Sequence, residues 1–150
     1  MRKYSKHIAT QASYNIPYSE DDIRDFIEFQ LAQYIGYTFY NKDLGVNILV
    51  TEDSVEETAQ NCRPNRQAAE LALYLPYILR NARIIELHLP TISKKQQNRF
   101  RFSEIATLIC NVPKVGIARL VVGYRVRDDE YIEYAITNYQ TQNKTSQFDF

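Results

Sequence analysis

The stretch that decides the fold reads Leu75-Pro76-Tyr77-Ile78-Leu79-Arg80-Asn81-Ala82 and runs on into Arg83-Ile84-Ile85-Glu86-Leu87-His88-Leu89. Its first half is the end of a helix. Leu75, Ile78 and Leu79 continue the apolar face begun by Ala68, Leu71 and Ala72 in a helix that starts near Arg66. Pro76 has no backbone N–H, so it kinks or restarts that helix. From Arg83 the hydrophobic period becomes two and stays so to about Tyr139. Strands are expected over residues 83–89, 99–110, 117–126 and 131–139. Residues 94–98 form a polar connection, and turns fall at residues 111–116 and 127–130. Short links between consecutive strands favour an antiparallel meander.

Upstream, Tyr37 to Tyr40 and Val46 to Val50 read as a hairpin around Asn41-Lys42-Asp43-Leu44-Gly45. Before it lies the clearest amphipathic helix, residues 19–35. Ser19 is its N-cap, Glu20, Asp21 and Asp22 suit its N-terminus, and Gly36 stops it. Ser54 and Glu57 have capping-box spacing, which starts a short helix near Val55. Residues 1–18 read as a polar arm and 140–150 as a polar tail. The fold class is therefore α+β, with N-terminal helices packed on one face of a four- to five-stranded antiparallel sheet. The 150 residues make one domain.

Lys+Arg and Asp+Glu are both 18, so an affinity of the whole molecule for polyanions is not implied, and only position decides whether a local basic patch exists. Cys62, in a polar loop, and Cys110, in an apolar run, have no second ligand at zinc spacing. No cofactor or metal is expected, and a reducing, cytoplasmic setting is. No segment approaches the ~20 apolar residues of a membrane span. Twelve Tyr and no Trp suit a tyrosine-edged sheet, or stacking platforms for bases.

Alternation assigns two faces. Ile85, Leu87, Leu108, Cys110, Ala118, Leu120, Val122, Tyr124, Ile132 and Ile136 are expected to meet the helices, with Phe100, Phe102 and Tyr134. The opposite parity carries Glu86, His88, Arg99, Arg101, Thr107, Arg119, Arg125, Tyr131, Glu133 and Thr137. That set suits solvated cross-strand ion pairs. It also suits metal-independent RNA cleavage: Glu86 or Glu133 as base, His88 as acid, and Arg101, Arg119 and Arg125 on phosphate, with the ribose 2′-hydroxyl as nucleophile. A slip of one residue, or a bulge, swaps the sets.

Two stretches carry a family resemblance. Gly36-Tyr37-Thr38-Phe39-Tyr40-Asn41-Lys42-Asp43-Leu44-Gly45-Val46-Asn47-Ile48 resembles a G-x-x-F-x-N-x-x-x-G-I-x-I opening, and residues 75–82 resemble an L-P-E-L-L-E-N-A helix end. Together with Arg119-Leu120-Val121-Val122 and residues 131–136, they are similar to the nuclease-like domains of phage and mobile-element polyvalent proteins. Those domains are grouped with the barnase–EndoU–colicin–RelE fold. The resemblance covers residues 36–139. It implies helices followed by a four-stranded antiparallel sheet, a ribonuclease-like ancestry and a bacterial mobile-element setting. Some relatives carry a histidine between the short and the long helix, where this chain reads Ala59-Gln60-Asn61-Cys62-Arg63-Pro64. Two functions follow: a metal-independent endoribonuclease, or a catalytically inactive module of the same fold that binds RNA, a protein partner or a second copy of itself.

Overall fold

Helix α1 (Glu20–Leu31) begins where the Ser19 hydroxyl accepts the Asp22 N–H at 3.1 Å. Three acids in its first turn complement the helix dipole, and Ile23, Ile27 and Leu31 bury one stripe. A short 3₁₀ turn (Ala32–Tyr34) follows, and the chain reverses at Gly36, whose φ of 90° disfavours a side chain. In this computed structural model, residues 16–88, 104–125 and 130–138 are described; the side chains of His88, Glu130, Glu133, Tyr134 and Asn138 are not. Strands β1 (Thr38–Asn41) and β2 (Val46–Leu49) form the expected hairpin.

Helix α2 (Glu52–Cys62) starts three residues before the expected Val55, because another capping box operates. Thr51 is the cap and Ser54 the reciprocating residue, with bonds of 3.1 Å from Ser54 N–H to Thr51 Oγ1 and 2.8 Å from Thr51 N–H to Ser54 Oγ. Cys62, expected in a polar loop, is instead the buried last residue of α2. Asn65 caps α3 (Arg66–Ala72). The chain breaks at Leu73 and Tyr74 and restarts as α4 (Leu75–Asn81), with Pro76 in the first turn, where its missing N–H costs nothing.

Strands β3 (Arg83–His88), β4 (Glu104–Val112), β5 (Gly116–Arg125) and β6 (Glu130–Asn138) form the expected antiparallel meander. The hairpin joins its far side, giving six strands in the order β1-β2-β6-β5-β4-β3. The β2–β6 pair is parallel, through Ile48 with Tyr131 and Leu49 with Ile132. Over the described residues the sheet is thus mixed and six-stranded rather than purely antiparallel with four or five strands. Local periodicity carries no record of a pairing between residues more than 80 apart in sequence. The four α-helices among the described residues bury Ile27, Leu31, Leu71, Ile78 and Leu79 in one core with Ile48, Leu108, Leu120 and Ile136.

Two bulges redraw the faces. In β3, Ile84 pairs with Leu108 and Glu86 with its neighbour Thr107, so Ile85 is the extra residue. Ile84 therefore packs against the core, while Ile85, expected there, is 49% exposed; Leu87, paired with Ala106, keeps the helix side as expected but is 54% exposed. In β6 the register shifts so that Val121 faces Ala135 and Val122 faces Glu133. Tyr131 consequently joins Tyr124 on the helix side, and Ile132 joins Gly123 on the other, the reverse of the parity expectation. Leu108, Cys110, Ala118, Leu120, Val122 and Ile136 take the helix side as expected.

Candidate nucleic-acid interface

The sheet face turned away from the helices is built from cross-strand rows. One row runs Arg83, Ile109, Arg119, Thr137 across β3, β4, β5 and β6. The next runs Glu86, Thr107, Val121, Ala135, and a third runs His88, Ile105, Gly123, Ile132 and on to Leu49. This outer face was expected to be polar, basic and aromatic. Ile105, Ile109, Ile117, Val121, Ile132 and Ala135 make it mixed instead. It is buried at Thr107 and Ile132, both 4% exposed, and opens toward Arg83, Arg119, Asn111 and Ile117.

At the open end, Arg83 and Arg119 lie in one row, two strand spacings or about 10 Å apart, with Ile109 between them. Beyond them the β4–β5 turn presents exposed Lys114, whose φ is 69°. Gln67 of α3 holds that turn by donating from Nε2 to the Val115 carbonyl at 3.1 Å. A Cβ on Gly116 would stand 2.6 Å from the same Nε2, so only glycine fits there without displacing the tether.

Most arginines of the helical layer are committed elsewhere. Arg63 bonds Asp21 Oδ1 through Nε and Nη2 at 2.9 and 2.7 Å. Those hydrogen bonds, then the guanidinium charge, hold the Asp21 carboxyl below its ordinary range. Arg66 donates to the Pro17 and Ile16 carbonyls at 2.6 and 2.8 Å and lies over the Tyr18 ring at 4.6 Å. Arg80 sits over Phe39 at 5.3 Å. Arg83 and Arg119 have no such partner among the described residues.

The candidate residues are brought together only in part. Glu86 lies in the row adjacent to Arg83 and Arg119, and His88 stands two positions further along β3. Arg125 is on the same face, but six residues or about 20 Å along β5 from Arg119, too far for both to hold one phosphate. Glu133 stands opposite Val122, outside the rows of Glu86 and Arg119. Arg101 lies outside the described residues. Arg83 and Lys114 were missed. The β3 bulge hid Arg83 by giving it the parity of Ile85, and Lys114 sat in a turn.

The two stretches that carry the resemblance meet one another. Asn41 is fully buried, and its Nδ2 donates to the Leu79 and Ala82 carbonyls at 2.8 and 3.0 Å. Its Oδ1 accepts the Leu44 N–H at 2.7 Å, and Asp43 Oδ2 accepts the Ile84 N–H at 2.8 Å. Gly36 and Gly45 supply positive φ, while Phe39, Ile48, Leu75, Ile78 and Ala82 are core. These residues hold the hairpin tip on the end of α4 and the start of β3. Among the described residues no helix is long and apolar enough to cross a membrane. No family model, curated protein or solved structure matches the chain.

Proposed function

We propose that the chain is a ribonuclease-like module that binds RNA by its phosphates at the open end of the outer sheet face. The carrying observation is the row holding Arg83 and Arg119, both without a partner among the described residues, with Lys114 on the turn beyond. Guanidinium forks suit phosphate oxygens, and a span of about 10 Å lets two arginines take neighbouring phosphates of one strand. The resemblance to nuclease-like domains of mobile-element polyvalent proteins, with their barnase-type layering, supports RNA as the polyanion.

Cleavage is the second reading, favoured by the placement of Glu86 and His88 on alternate positions of β3 beside the arginine row. On it, Glu86 takes the proton from the ribose 2′-hydroxyl and that oxygen attacks phosphorus. The 5′-oxygen leaves with a proton from His88, and the product is a cyclic phosphate.

Titration of a fluorescent RNA oligonucleotide tests binding. With Arg83, Arg119 and Lys114 engaged, log K against log salt should fall with a slope of about −2. The double variant Arg83→Ala/Arg119→Ala should weaken binding about tenfold. Wild-type affinity in that variant, or affinity indifferent to salt, would overturn the proposal. Incubation with RNA in chelator tests cleavage: product formation that Glu86→Gln and His88→Ala abolish supports it, and intact RNA leaves a binding module.

A further inference from the structure

On the helix side of the sheet, beyond the end of the helical layer, lies a cleft of about 200 Å³. We infer that it is a binding site for a small organic cation, a guanidinium or ammonium head on a short apolar stem.

Its floor is Ala106 and Val122, which are register partners. Ala106 has no side chain beyond Cβ, so the floor lies low beside Leu87, its neighbour across β3. One wall is a single cross-strand row, Glu104, Tyr124 and Tyr131. The two rings lie 4.7 Å apart and tilted by 41°. The opposite wall is the hairpin tip, which brings Asp43. Asp43 keeps its place by accepting the Ile84 N–H at Oδ2.

Size, lining and charge then select the ligand. The volume exceeds the ~150 Å³ that accommodates benzene and falls short of the ~300 Å³ of a drug-sized pocket. One short stem with a planar or tetrahedral head fits. An apolar floor takes the stem, and ring faces attract a cation. Both charged side chains among the described lining residues are carboxylates, and a guanidinium fork matches one of them. The inference stands apart from the RNA reading, which uses the other face.

Titration of the whole chain with butylguanidinium, followed by the amide NMR signals of Ala106 and Val122, tests it. Saturable shifts confined to this end of β4 and β5 are expected. Butylurea, the neutral isostere, should bind at least fivefold more weakly. Glu104→Gln, which keeps shape and removes charge, should cost the cation at least fivefold and leave butylurea unchanged. Ala106→Leu fills the floor and should abolish both. N-acetylarginine amide serves as a second probe: binding by it places an arginine side chain of a peptide among the ligands, and refusal of it with acceptance of butylguanidinium confines the site to free cations. Failure of butylguanidinium to saturate, equal affinity for butylurea, or wild-type affinity in Glu104→Gln would each sink the inference.

Discussion

Arg66 and Arg119 are the same residue type in opposite states. Arg66, in the helical layer, spends its donors on the Ile16 and Pro17 carbonyls and lays its guanidinium over the Tyr18 ring. Arg119, on the outer sheet face, stands in a row with Arg83 and has no partner among the described residues. The helical layer is also the acidic one, with Glu20, Asp21, Asp22, Asp25 and Glu28 on α1 and Glu52, Asp53, Glu56 and Glu57 on α2. Among the described residues, those carboxylates lie on the helices, whereas Arg83, Lys114 and Arg119 gather at one end of the sheet. A polyanion approaching such a molecule is repelled on one side and drawn to the other.

The comparison breaks if the helical layer tolerates substitution as the outer face should. The largest effect belongs to Asn41→Ala, which strips partners from two buried carbonyls and the Leu44 N–H. It should cost about 3 kcal/mol, read by denaturant unfolding, with the slope unchanged. Arg66→Ala should cost about 1–2 kcal/mol for the lost carbonyl bonds and ring contact, and leave RNA affinity intact. The Arg83→Ala/Arg119→Ala variant should show the reverse, a tenfold weaker RNA complex with stability altered by less than about 0.5 kcal/mol. A large stability loss there would place those arginines with Arg66 instead.

Smaller effects concern pH and the thiols. Asp21 is held below its ordinary pKa in the folded chain, so its contribution is present at neutral pH and disappears as acid protonates it below its unfolded value. Arg63→Ala should remove that acid dependence, and high salt should blunt it, because the pair is exposed. Burial pushes the Cys110 thiol up from 9.0 to about 11. Stability is thus untouched by this group below pH 9 and erodes between pH 9 and about 11 as the unfolded thiol ionises first. Both cysteines are buried, so a thiol reagent at neutral pH should label neither until the chain unfolds.

What was legible in the sequence was what local rules govern. Ser19 capping, the Asn41–Gly45 turn, the restart at Pro76 and the apolar run of β5 each depend on residues within a few positions. The bulges at Ile85 and in β6 depend on what lies across the sheet, and each reversed the faces of the residues that precede it in its strand. For the candidate site this hid Arg83, placed Tyr131 on the wrong side, and let Glu133 be grouped with arginines whose rows it does not share. The capping box at Thr51 and Ser54 shows a milder miss. Ser54 and Glu57 match the Ser/Thr-x-x-Glu/Gln pattern, whereas the box that forms runs from Thr51 with a serine, Ser54, in the reciprocating place, which that pattern does not include.

The parallel pairing of β2 with β6 also sets a schedule for folding. The hairpin closes locally and early, yet its place in the sheet is the last strand of the meander. On a ribosome, residues 38–49 emerge long before residues 131 and 132, and the hairpin has to wait with one edge unpaired until β6 arrives. That long-range closure raises contact order and slows the final step. A chain truncated before residue 130 loses more than one strand: it strands the hairpin, and with it the buried Asn41 that ties hairpin to helix.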